Sequence, residues 1–126
     1  RAFSFVNDFT PYLAKCGWVE EAKNEIFNIG ADKPYSINKL AEILLEISGK
    51  KLEPIYVPDR KQEVDEAFCN NDKAKRVLGF EDKTSLQEGL ETMWAWAKTI
   101  GSQKQRYLQK LELTEGAPLL WTKKLI

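Results

Sequence analysis

Ser85-Leu86-Gln87-Glu88 is the stretch that most narrows what this chain can become. A serine three residues ahead of a glutamate is the capping-box pattern, in which each side chain satisfies a backbone N–H that the first helical turn leaves unpaired. Behind it Leu86, Leu90, Met93, Trp94 and Ala97 fall on one helical face, and Gly101 stands just past the end. One long amphipathic helix is expected here, with Met93, Trp94, Trp96 and also Trp18 serving as packing residues.

A second helix is marked by Ser36 as N-cap, by Ile37, Leu40, Ala41, Leu44 and Ile47 at helical spacing, and by Gly49 at the C-terminal turn. Two shorter helices are expected: one capped by Asn7 or Asp8, running to about Lys15 with Pro11 in its first turn and ended by Gly17, and one capped by Asp72, running through Leu78 to Gly79. Three β-type runs lie outside the helices: residues 1–7 ahead of the first, residues 25–30 ("EIFNIG") and residues 53–58 ("EPIYVP"), the last with Pro54 near its start and Pro58 at its end. Residues 102–126 lose a steady period and are expected to start helical and continue as an extended tail anchored by Leu119, Leu120 and Trp121.

The fold class that follows is α/β: a small mixed arrangement of about three short strands and four helices. Three strands make a meagre sheet, so strands outside this chain are expected to complete it. At 126 residues and 43% hydrophobic content the chain is one small domain or a piece of a larger one.

Several chemistries are excluded. The chain has no histidine, which removes Ser-His-Asp and Cys-His catalysis and the commonest metal ligand. Cys16 and Cys69 match no zinc-ligand or CxxC spacing and read as free buried thiols. The glycines at 17, 30, 49, 79, 89, 101 and 116 are never closer than ten residues, so neither a dinucleotide-binding turn nor a P-loop is present. With Lys plus Arg at 19 and Asp plus Glu at 19, nothing in the net charge calls for nucleic acid or an anionic membrane. No apolar run in the sequence approaches the roughly 18 residues needed to span a bilayer. A cytoplasmic setting is expected.

Two patterns invite a catalytic reading. Tyr35 and Lys39 have Y-x-x-x-K spacing, in which a lysine can ready a tyrosine for acid/base work. In so lysine-rich a chain this spacing arises readily by chance, and the plainer expectation is a packed tyrosine and a solvated lysine. Glu63, Asp65 and Glu66 could pair as carboxylates or hold a divalent ion, but the loop offers no matched ligand set, so Asp65 and Glu66 read as a solvated turn.

Taken in order, "RAFSFVND", "FNIGADKPYSINKLAEIL", "DRKQEV", "NNDKAKRVLGF" and "TSLQEGLETMWAWAK" resemble the C-terminal third of the NAD-dependent epimerase/dehydratase family, the extended short-chain dehydrogenase/reductases that act on nucleotide sugars. The resemblance looks strongest to the UDP-glucose 4-epimerase-like members, and "LELTEGAPLLW" is similar to the closing segment of one subgroup. It implies that the chain opens mid-protein, with the N-terminal Rossmann part, its NAD turn and its catalytic Tyr and Lys all absent. Residues 1–101 would be a nucleotide-sugar-binding C-terminal domain and residues 102–126 an extension packed on it.

The resemblance further implies a nucleotide clamp. Arg1 matches the family's R-x-F arginine and Arg60 that of its R-x-x-[ED] loop, and both are expected near the diphosphate, where guanidinium groups make charge-assisted contacts. Glu63 matches the acidic residue expected to accept from ribose hydroxyls, and Phe3 falls where some members place an aromatic ring beside the nucleotide. The loop departs from the Arg-Pro-Gly-Asp or Arg-Pro-Gly-Glu of many relatives, reading Arg60-Lys61-Gln62-Glu63 here. No catalytic residue, resident cofactor or metal is expected on this chain. NAD would belong to the intact parent, a UDP-sugar would be the ligand, and the parent would be a homodimer. The alternatives are a dehydratase, decarboxylase or reductase of the same family, or a stand-alone interaction module that self-associates through apolar surface.

Overall fold

The computed structural model describes residues 1–57 and 64–103, and four α-helices carry its architecture: α1 (Val6–Lys15), α2 (Ile37–Ser48), α3 (Asp72–Leu78) and α4 (Leu86–Ile100), with a short 3-10 turn at Glu20–Ala22. The capping box forms as the sequence requires. Ser85 Oγ accepts from the Glu88 backbone N–H at 3.2 Å, and the Glu88 carboxylate accepts from Ser85 N at 2.9 Å. Ser36 Oγ likewise accepts from Lys39 N at 3.1 Å to start α2, which ends at Gly49.

The helices organise two small apolar clusters. Ile43 of α2 meets Leu86 and Leu90 of α4, with Leu40, Leu44, Ile47, Phe3 and Tyr35 packed around them. The buried stripe of α2 therefore runs through 40, 43, 44 and 47, whereas Ile37 is left exposed at its first turn. The second cluster joins Ala22, Ala74, Leu78 and Phe80, flanked by Tyr12 and Cys16 from the end of α1 and by Phe27 and Ile29. Tyr12 meets Phe80 edge to face, with ring centroids 5.2 Å apart.

Polar ties stitch the elements together. Lys15 Nζ donates to the Leu78 carbonyl at 2.6 Å, placing a cation at the C-terminal end of α3 where the helix dipole favours one. Gly79 follows with φ +70°, the left-handed conformation in which a side chain would be strained. Gly89 matters for space rather than for backbone angle. A Cβ there would sit 3.3 Å from Phe5, so its absence lets the Phe5 ring lie against α4.

Three sequence expectations are corrected. First, the described residues contain no β-strand, only an isolated antiparallel bridge between Ala2 and Pro34. Residues 25–30 and 53–57 carry strand-type side chains, but a strand exists only where a neighbour completes its hydrogen-bond ladder, and no described segment does so. Pro58 lies outside the described residues. Second, α1 begins at Val6, inside the run read as the first strand, and Asp8 does not cap it. The Asp8 carboxylate instead accepts from Lys83 N at 3.2 Å and Thr84 N at 2.7 Å, tying α1 to the turn ahead of α4. Asp72 does not cap α3 either; its own N–H is taken by Asn70 Oδ1 at 2.9 Å.

Third, three of the expected packing residues do not pack: Trp18, Met93 and Trp96 are exposed, and only Trp94 among them is half-buried. Among the described residues α2 covers the apolar face of α4 around Leu86 and Leu90, and farther along that face Met93 is exposed while Trp94 is half-buried. Of the expected tail, only Ser102 and Gln103 are described; Leu119, Leu120 and Trp121 lie outside the described residues.

Candidate functional site

The first three residues sit between two other segments. Arg1 exchanges two backbone hydrogen bonds with Tyr35, its nitrogen donating to the Tyr35 carbonyl at 2.7 Å and its carbonyl accepting from Tyr35 N at 2.8 Å. On the other side Ala2 N donates to the Ala67 carbonyl at 3.2 Å. The Arg1 guanidinium donates to the Asp65 carbonyl at 3.0 Å. Segments 34–35 and 65–67 thus flank the opening segment, and the guanidinium rests on the loop two residues beyond Glu63.

Behind this arrangement lies a polar knot that pattern reading missed. Asn71 is 4% exposed, and its amide nitrogen donates to the Gly30 carbonyl at 2.8 Å and to Asp32 Oδ1 at 2.8 Å. Lys75, one turn into α3, reaches both Asp32 carboxylate oxygens, at 2.8 and 2.9 Å. Asp32 N donates in turn to Asp82 at 2.9 Å, and Ala31 N to Ser4 Oγ at 2.8 Å. The hydrogen bond from Lys75, followed by that from Asn71, holds the Asp32 carboxyl below its ordinary pKa against a smaller opposing cost of desolvation. Asp32 raises the Lys75 ammonium correspondingly. The Asn70-Asn71-Asp72 run reads locally as a helix start, because the carbonyl that Asn71 serves is 41 residues away in sequence.

Two open cavities border these elements. The larger, of about 410 Å³, is walled by α1 and residues 25–29 and includes both half-buried free cysteines, Cys16 and Cys69. The smaller, of about 170 Å³, is walled by Phe3, Lys33, Tyr35 and residues 82–86. Of the four residues assigned to the nucleotide, Phe3 lines the smaller cavity while packing against the α2–α4 cluster, and Arg1 lies at the flanked segment. Arg60 and Glu63 lie outside the described residues.

Other sequence candidates do not assemble. The cation over the Tyr35 ring is Lys33, at 5.1 Å, and the Lys39 ammonium pairs with Glu42 at 3.0 Å, so the Y-x-x-x-K pattern forms no catalytic pair. Asp65 and Glu66 are exposed. Among the described residues no group of three or more Cys, Asp or Glu is placed to hold a metal ion, and no described helix is long and apolar enough to cross a membrane.

No protein-family model matches the chain. Individual proteins do. UDP-glucuronate 4-epimerase of Thermodesulfobacterium geofontis is 39% identical over 99 residues, covering 78% of this chain and 30% of that protein. A putative UDP-glucose 4-epimerase of Methanocaldococcus jannaschii is 34% identical over 99 residues, covering 78% of this chain and 31% of its own length. In three dimensions the chain is similar to a crystal structure of UDP-glucose 4-epimerase with UDP-glucose from Thermotoga maritima, at TM-score 0.68 and 35% identity, over 80% of this chain and 32% of that one. The order and spacing of its sequence blocks agree with these likenesses: the chain is similar to one part of the UDP-sugar 4-epimerases it matches and spans about 30% of their length.

Proposed function

We propose that this chain is the nucleotide-holding part of a UDP-sugar 4-epimerase, gripping the UDP moiety so that the hexose is presented to a catalytic centre carried elsewhere in the parent enzyme. The observation that carries the reading is the likeness, at 35% identity, to a UDP-glucose 4-epimerase crystallised with UDP-glucose. Arg1 and Arg60 contact the diphosphate, Glu63 accepts from ribose hydroxyls, and Phe3 borders the nucleotide. Residues 1–101 form the binding domain and 102–126 an extension packed on it. A guanidinium suits the diphosphate because its fixed fork of donors matches phosphate oxygens. Binding energy collected at the nucleotide, remote from the reacting carbon, orients the sugar without a chemical group from this chain.

The residues present do not fit NAD. A pyrophosphate needs free backbone N–H groups at a glycine-rich helix start, whereas the N-termini of α2 and α4 are occupied by their own serine caps and the glycines are widely spaced. NAD, as hydride acceptor and donor, belongs to the rest of the parent, which is a homodimer on this reading.

Calorimetric titration of UDP into the chain tests the proposal. Saturable binding is expected, weakened at least tenfold by Arg60→Ala, in line with the loss of a charge-assisted contact worth about 1.5–3 kcal/mol. Absence of binding at millimolar UDP, or equal affinity for Arg60→Ala, overturns it.

A further inference from the structure

We infer that Asn71, with the Asp32–Lys75 ion pair, is a positioning device for Arg1: a cross-tie between the two segments that hold the nucleotide-binding arginine in place. The inference rests on the role given to Arg1 above and extends it to residues that touch no ligand.

Arg1 and Ala2 are held from both sides, by Tyr35 through two backbone hydrogen bonds and by Ala67 and Asp65 through one backbone and one guanidinium contact. Neither flank belongs to a helix or a laddered strand, so neither is rigid by its own hydrogen bonds. Each runs within a few residues into the polar knot: one flank passes through Gly30 and Asp32, the other continues to Asn71. The Asn71 side chain joins them directly, spending its amide hydrogens on the Gly30 carbonyl and on Asp32. Lys75 then closes on both oxygens of Asp32 from α3.

Burial makes the tie costly to break. Asn71 is buried and its amide is satisfied only by the opposite flank, so removing it leaves the Gly30 carbonyl without this donor. Gly30 also permits the flanks to close up, since a Cβ there would lie 3.0 Å from the Cys69 sulfur on the other flank. The tie spans the same two segments that flank Arg1, a few residues along each from the contacts made with Arg1 and Ala2.

The test is a double-mutant cycle on UDP affinity in the full chain, using Lys75→Met as the mild variant and Asn71→Ala as the severe one, with circular dichroism confirming that each is folded. Lys75→Met is expected to weaken UDP roughly threefold to tenfold, and to have no further effect once Arg1→Ala is present, because residues acting through one group are not additive. Hydrogen exchange at the Ala2 and Tyr35 amides is expected to accelerate in Lys75→Met while that of the central amides of α4 is unchanged. Additive losses in the cycle, or unchanged exchange at Ala2 and Tyr35, overturn the inference. If the unmutated chain fails to bind UDP, the nucleotide reading falls and the role assigned to the tie falls with it, while the exchange result still decides whether the tie orders Arg1.

Discussion

Residues 25–30 and residues 52–57 both carry β-type side chains, and neither forms a strand, yet the two are held in opposite ways. In the first, alternation is realised without a ladder: Phe27 and Ile29 turn into the α1–α3 cluster while Ile26, 85% exposed, and Asn28 face outward. Gly30 and the residues that follow it are then seized by Asn71, Ser4 and Asp82. In the second, Leu52, Ile55, Tyr56 and Val57 are all exposed, Ile55 at 89%. The difference teaches that side-chain pattern decides which face is apolar, whereas a partner decides whether that face is used. Helices α1 and α3 supply one to the first segment, and no described residue supplies one to the second.

The contrast breaks most sharply at Leu78. This side chain is fully buried at the centre of the cluster on which Phe27 and Ile29 rest. Leu78→Ala is expected to cost about 2–5 kcal/mol by denaturant unfolding, the range for a leucine truncated in a packed core. The backbone tie from Lys15 to the Leu78 carbonyl does not need the leucine side chain, so the loss reports packing. A cost below about 1 kcal/mol would mean that the cluster is too loosely packed to anchor residues 25–30.

A smaller effect follows from titration. Asp32 is depressed chiefly by Lys75 and then by Asn71, Glu25 by Lys73, and Glu88 by the Ser85 hydroxyl and backbone. Each carboxylate therefore binds its proton more weakly folded than unfolded. The unfolded chain takes up more protons on acidification, so this contribution is complete above the ordinary carboxylate range and is lost as pH falls through and below it. The midpoint of thermal unfolding is expected to fall between pH 5 and pH 3, and to fall less steeply in Lys75→Met, where the main cause of the Asp32 shift is gone. Parallel curves for the two proteins would show that the polar knot contributes nothing to acid sensitivity. Among the described residues nothing comparable anchors residues 52–57.

What could be read in the sequence divides along the same line. The capping box at Ser85 and Glu88, the Ser36 cap and the glycines that end α2 and α3 depend on residues within one or two turns, and all are found as expected. The failures involve distant partners. Asp8 is an ordinary N-cap candidate until Lys83 and Thr84 present their amides to it. Met93 and Trp96 lie on a helix whose period promises burial, but α2 covers only its first half. The buried role of Asn71 could not be foreseen because Gly30 is 41 residues away. For the proposed nucleotide clamp, the sequence blocks pointed to Arg1 through resemblance alone, and its hydrogen bond to the Asp65 carbonyl is visible only in the structure.

The smallest expected effect lies in the exposed segment itself. Ile55→Ser replaces a side chain that is 89% exposed, so almost no apolar area leaves or enters water on folding at this position. With roughly 25 cal/mol gained per Å² of apolar surface buried, a residue that buries almost none has almost nothing to lose. The change in unfolding free energy is expected to stay within about 0.5 kcal/mol of zero, as for ordinary surface positions. The same substitution in a protein where this segment had found a partner would remove buried surface and cost several times more. Measuring Ile55→Ser beside Leu78→Ala at two protein concentrations separates these cases: a loss at Ile55 that grows with concentration identifies a second copy as the missing partner, and a concentration-independent loss above about 1 kcal/mol means that the segment is covered within the chain, which ends the contrast with residues 25–30.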